Sequence, residues 1–165
     1  MDVSNVLPHQ GRRLLQIGVA LFLFTSFEGF AIPSFAAPLL GRSAHSLTGL
    51  FGVILITFGL LWPSLKLSAF TSRIAFWFLV YSGSAIIAAF IIGAIWGAGG
   101  SMMPLAGAPA GTSFQERVIM IVAYSSAPTG IISFALVLWG LRLGPVPAGV
   151  RSGGDDDVHS RQFVA

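Results

Sequence analysis

Cysteine is absent from the 165 residues, which excludes disulfides, thiolate metal sites and thiol nucleophiles together. Charge is scarce as well: only 9% of positions are Asp, Glu, Lys or Arg, against about 25% in an ordinary soluble domain. The apolar stretches contain no Ser/His/Asp set, no glycine-rich phosphate loop and no paired acids. Hydrolase, kinase and glycosidase chemistries therefore lack their residues. The formal charge of +3 and the sequence pI near 10.2 do not point to nucleic acid, because the basic residues sit at the ends of apolar runs rather than on one face.

What the chain has in abundance is apolar side chain, 55% of all positions with a mean hydropathy of +0.84. Crossing a hydrocarbon layer takes about 20 mostly apolar residues, and four stretches qualify, at 14–35, 46–67, 74–96 and 118–141. The expected fold is all-α, an integral membrane four-helix bundle. Its parts are an N-terminal segment at 1–13, a transmembrane domain at 14–143 and a tail at 144–165. Pro145, Pro147, Gly153, Gly154 and the run Asp155 to Asp157 mark that tail as disordered. The first stretch is longer than the core of a cleavable signal and lacks a small-x-small site, so it is expected to remain. Arg12, Arg13, Lys66, Arg73, Arg142, Arg151 and Arg161 fall on one side of the bundle, and only Arg42 and Arg117 on the other. The positive-inside rule then puts both termini in the cytoplasm.

The connection at 97–116 is long for a bundle and too apolar for a solvated linker. It is expected to fold back onto the helices, with Met102, Met103 and Pro104 near the start of the second span. Small residues let helices approach closely in lipid. Ala85, Ala89, Gly93 and Gly97 form one such row, and Gly49, Gly52 and Gly59 another. The second row reads either as packing or as clearance for a flat cofactor.

Five groups in this apolar setting can carry chemistry. His45, the one histidine inside the apolar part, stands at the expected mouth of the second span. It reads either as an imidazole bonded to its surroundings or as a single axial ligand to iron. Glu28 is the one carboxylate placed within a span, a functional candidate by its position unless it snorkels or is protonated. Glu116 is expected to cap the last helix. Tyr81, Ser82 and Ser84 form a polar patch on the third span, and Tyr124, Ser125 and Ser126 another on the fourth.

In order along the chain stand Gly11-Arg12-Arg13-Leu14-Leu15, Ala31-Ile32-Pro33, Ser43-Ala44-His45 and Leu61-Trp62-Pro63-Ser64-Leu65. They are followed by Trp96-Gly97-Ala98-Gly99, Met102-Met103-Pro104, Gly111-Thr112, Gln115-Glu116 and Trp139-Gly140-Leu141-Arg142. This series resembles the hydroxylaminobenzene mutase family over residues 11–142, and more distantly styrene oxide isomerase. The resemblance implies a homotrimer in a bacterial inner membrane. It also implies a ferric haem b whose axial ligand matches His45, with Gly49 and Gly52 beside the cofactor. The implied reaction isomerises an aryl hydroxylamine to a 2-aminophenol, with the iron acting as a Lewis acid on the substrate oxygen. The chain departs from the isomerase pattern at Phe51, Ser82 and Phe90, where that pattern has Asn, Asp and Tyr. Tyr81 is the candidate replacement for the missing polar group, with Phe51 and Ser84 as further catalytic candidates. The alternatives are an epoxide isomerase of the styrene oxide type and a non-catalytic membrane protein whose glycines serve packing alone.

Overall fold

Proline and glycine mark the turns between the helices of this computed structural model, with Pro33, Pro38, Pro63, Gly97 and Gly111 at or beside helix ends. The structure describes residues 3–142, the side chains of the first three excepted; the expected tail lies outside the described residues. α1 (Val3–Ala31) runs into a single 3₁₀ turn at Ile32–Ser34 holding Pro33. α2 (Pro38–Leu61) starts on a proline, whose missing N–H and fixed φ suit a first helical turn. A second 3₁₀ turn, Trp62–Ser64, closes α2.

α3 (Ala69–Trp96) is capped by Ser68, whose hydroxyl accepts the Thr71 N–H at 3.2 Å. It stops at Gly97, held left-handed at φ 61°, with the Ala98 N–H reaching back to the Gly93 carbonyl at 3.0 Å. α4 (Ser113–Arg142) opens with a capping box: the Gln115 N–H bonds the Thr112 hydroxyl at 3.3 Å, and the Gln115 side chain accepts the Thr112 N–H at 2.9 Å. At a 1.5 Å rise per residue, helices of 24 to 30 residues are about 36 to 45 Å long. All four are long and apolar enough to span a membrane.

The helices outrun the expected spans at their starts. The segment at 1–13 is, from Val3 on, the first turns of α1, and α2 begins eight residues before position 46. The hydrophobic window registers only the apolar run, whereas the helix continues through polar turns that make the same backbone bonds.

α1 and α2 form one antiparallel hairpin, α3 and α4 another, and α2 against α3 joins them. Gly11 and Gly59 meet face to face, where a Cβ on either would come within 2.8 Å of the other's carbonyl oxygen. Gly18 and Gly52 repeat the arrangement two turns along. The Ala85, Ala89 and Gly93 row is likewise spent inside the protomer, with Leu40 of α2 seated on Gly93. Large apolar side chains such as Phe27, Phe30, Leu60, Trp77 and Ile131 face outward. That inside-out pattern suits a lipid surround, where burial gains little and close packing holds the helices.

Candidate active site

Across a helical hairpin, residues equally far from the turn lie opposite one another, so the last turns of α1 face the first turns of α2. His45 lies seven residues into α2, about 10 Å from its start. It is therefore two turns deep, not at the helix mouth implied by a span beginning at 46. Its ring rests on the bare backbone of Gly29: a Cβ there would stand 3.3 Å from Cε1 and 3.7 Å from Nδ1. Nδ1 is buried without a hydrogen-bond partner, while the half-buried ring leaves Nε2 toward the surface.

Glu28 immediately precedes Gly29, on which this ring rests, and interacts electrostatically with His45. Only 5% exposed, it is turned inward rather than snorkelling, and both carboxyl oxygens are buried without a partner. Its neighbours across the helix contact are Thr48 and His45. Thr48 is fully buried, and its hydroxyl proton is committed to the Ala44 carbonyl at 2.8 Å. Sequence reasoning noticed Glu28 and His45 separately and did not pair them. The signal was available in their similar distances from the Pro33–Pro38 turn.

Two open clefts flank this point and share Arg42. One of about 430 Å³ is lined by Gly29, Ile32, Pro33, Pro38 and Leu39; the other, of about 470 Å³, by Ser43, Ser46, Leu47, Leu50 and Phe90. Gly49, the next turn of α2 after His45, is half-buried, with only the Thr25 methyl group at 3.7 Å from where a Cβ would stand. Gly52 is closed off: Gly18 and the Phe22 ring of α1 already fill its side-chain space.

The other candidates lie elsewhere in the protomer. Phe51 is buried between α2 and α3, its ring covering Gly83 so closely that any Cβ there would run into it. The Tyr81 hydroxyl donates to Ser125 Oγ at 2.9 Å, and Ser125 donates to the Val122 carbonyl at 2.7 Å. Ser84 is exposed on α3. Since Leu40 packs at Gly93 and Phe51 at Gly83, Tyr81 is level with the residues just after Phe51. That is about 10 Å from His45 along the bundle. The structure therefore groups His45 with Glu28, Gly29, Thr48 and Gly49, and leaves Tyr81 and Ser84 with the second hairpin.

The long connection does fold back. Met103 is buried in one cluster with Leu40 of α2, Ala94 and Ala98 at the end of α3, and Ile119 of α4. Glu116 corrects an expectation here. Thr112 and Gln115 cap α4, and the Glu116 carboxylate instead accepts the N–H groups of Gly99, Gly100, Ser101 and Gly111, at 2.8 to 3.2 Å, and the Ser101 hydroxyl. A carboxylate offers about four lone-pair sites, and these are spent on pinning the loop.

A family profile described as styrene oxide isomerase matches residues 10–142. The chain belongs to the styrene oxide isomerase family. Two curated relatives are from Ectopseudomonas oleovorans. Hydroxylaminobenzene mutase HabB is 43% identical over 135 residues, 81% of this chain and 82% of that protein. Hydroxylaminobenzene mutase HabA is 32% identical over 129 residues, 78% and 96% of the two chains. No solved structure matches. The likeness to the mutases expected from the ordered motifs thus holds, and this member of the styrene oxide isomerase family is an integral membrane isomerase of the mutase type.

Proposed function

We propose that this membrane isomerase converts aryl hydroxylamines such as hydroxylaminobenzene to 2-aminophenols. The identity to HabB, 43% over four-fifths of both chains, is the observation that carries this reading. Substrate and product have the same formula. The N–O bond breaks, a C–O bond forms at the ortho carbon, the ortho hydrogen leaves as a proton and nitrogen takes one up. No external oxidant or reductant is needed. The epoxide alternative is less well supported, because Ser82 is already bonded to the Ser126 carbonyl at 2.8 Å and the Phe51 ring is buried on Gly83.

The proposed cofactor is ferric haem b on His45. The residues present fit a single axial ligand: one ring nitrogen is turned inward and unpartnered, and the other is left toward the surface. When bound, such an iron supplies a Lewis acid for the substrate oxygen. His45 would hold it through Nε2, and Arg42, exposed at the rim of both clefts, is placed to pair with a carboxylate. Leu50 and Phe90 give the adjoining wall an apolar lining that excludes water from an aromatic substrate. We take the working unit to be a homotrimer in a bacterial inner membrane, with both termini cytoplasmic.

The test is turnover by the detergent-purified protein, offered hydroxylaminobenzene and styrene oxide in parallel. Formation of 2-aminophenol and a Soret band are expected. His45→Ala should lose the band and about 100-fold or more of the rate, a barrier increase of about 2.7 kcal/mol, while the helical circular dichroism stays. Isomerisation of styrene oxide alone would overturn the substrate assignment, and a colourless, fully active preparation would overturn the cofactor.

A further inference from the structure

Among the described residues, three buried side-chain atoms have no hydrogen-bond partner, and all three belong to one pair: Glu28 Oε1, Glu28 Oε2 and His45 Nδ1. Leaving such a group unsatisfied costs about 1–3 kcal/mol, so a fold that brings them to one layer of one helix contact is holding them for each other. The two threonine hydroxyls nearest the pair are already committed. Thr48 donates to Ala44, and Thr25, one turn before Glu28 on α1, donates to the Leu21 carbonyl at 2.8 Å. Thr48 also lies within reach of the Glu28 carboxyl, but its one proton goes to Ala44, which leaves the unpartnered imidazole of His45 as the neighbouring donor. The backbone is shaped for the approach, because Gly29 presents no side chain where the His45 ring lies.

We infer that Glu28 is the positioning residue of His45: its carboxyl accepts the Nδ1–H of the imidazole and so fixes the ring with Nε2 unprotonated and directed outward. A histidine that binds a metal through one nitrogen commonly donates the other N–H to a carboxylate or carbonyl, which sets the tautomer and raises the basicity of the donor. A histidine on a bare helix face lacks that support. Here the acceptor is supplied by the neighbouring helix and excluded from water. The inference rests on the proposed role of His45 as the haem ligand, yet the tautomer of the ring can be read without any haem.

The experiment uses the full-length chain in nanodiscs, labelled with ¹⁵N-histidine, as wild type, Glu28→Gln and Glu28→Met, before and after addition of haem b. In the wild type the His45 ring is expected as the Nδ1–H tautomer. Glu28→Gln keeps an acceptor oxygen and should preserve that tautomer, whereas Glu28→Met should shift the ring toward Nε2–H. With haem added, Glu28→Met should lower the iron–histidine stretching frequency of the ferrous protein in resonance Raman spectra. It should also weaken haem binding about 10- to 100-fold, with Glu28→Gln lying between. A wild-type ring already in the Nε2–H form, or a Glu28→Met ring and Raman frequency identical to wild type, overturns the inference. Should the wild type bind no haem, the cofactor reading fails and the tautomer comparison alone decides the Glu28–His45 pair. Gln is nearly isosteric with Glu, so its variant guards against loss of fold.

Discussion

The two hairpins are built on opposite principles. α1 and α2 meet through bare backbone, Gly11 on Gly59 and Gly18 on Gly52, and the carboxylate between them, Glu28, has no partner. α3 and α4 are sewn by hydroxyls: Tyr81 to Ser125, Ser82 to the Ser126 carbonyl, and Ser133 to the Ala75 carbonyl at 2.8 Å. The carboxylate at the end of that second hairpin, Glu116, is saturated with donors. A satisfied polar group rigidifies the segment it binds. An unsatisfied one remains free to take a ligand's partner. The contrast separates a hairpin whose polar side chains are bonded from a hairpin that keeps buried polar atoms unpartnered.

The contrast can be broken at the glycines with the largest effect. In Gly59→Val the new Cβ would lie 2.8 Å from the Gly11 carbonyl and 2.9 Å from the Leu15 nitrogen. The helices must separate, at a cost of about 3 kcal/mol or more. The folded yield and melting temperature in detergent should both fall, and the α3–α4 contacts, followed by protection of their amides, should outlast those of α1–α2. Next comes the loop clamp. Glu116→Ala strands four N–H groups, each hydrogen bond to a charged acceptor being worth about 1.5–3 kcal/mol. Proteolysis within 97–112 should rise at least about tenfold while the His45 region keeps its exchange protection; an unchanged cleavage rate would show that the clamp is redundant. The smallest effect belongs to Ser133→Ala. It removes one buried hydroxyl bond between α3 and α4, worth about 0.6 kcal/mol in a membrane, and unfolding in mixed micelles should register it with turnover intact.

Much of this was legible before any coordinates. The four spans followed from hydropathy, and the fold-back of the 97–116 segment from its apolar glycine-rich composition. That His45 is the one histidine within the apolar part was also plain from the sequence. The starts of α1 and α2 were not legible, since polar turns extend a helix without an apolar signal. Glu116 was misassigned because a carboxylate in a first turn usually serves the helix dipole, whereas here Thr112 and Gln115 had already met that need. Tyr81 was read as the candidate replacement for the polar group missing at Phe51. Its hydroxyl belongs to α4.

The sequence by itself determined the solvent and the class of fold, because 55% apolar residues in four long runs leave a chain no other way to satisfy its backbone in lipid. It also determined the family, through ordered motifs that need no geometry to be recognised. Only the tertiary structure decided that Glu28 and His45 share one dry layer while Gly52 is spent on packing. Hydropathy records how much each residue prefers lipid, and it carries no information on the rotation of one helix about its axis against the next. That rotation is set by which glycines let backbones touch, and it turns two isolated polar residues into a pair.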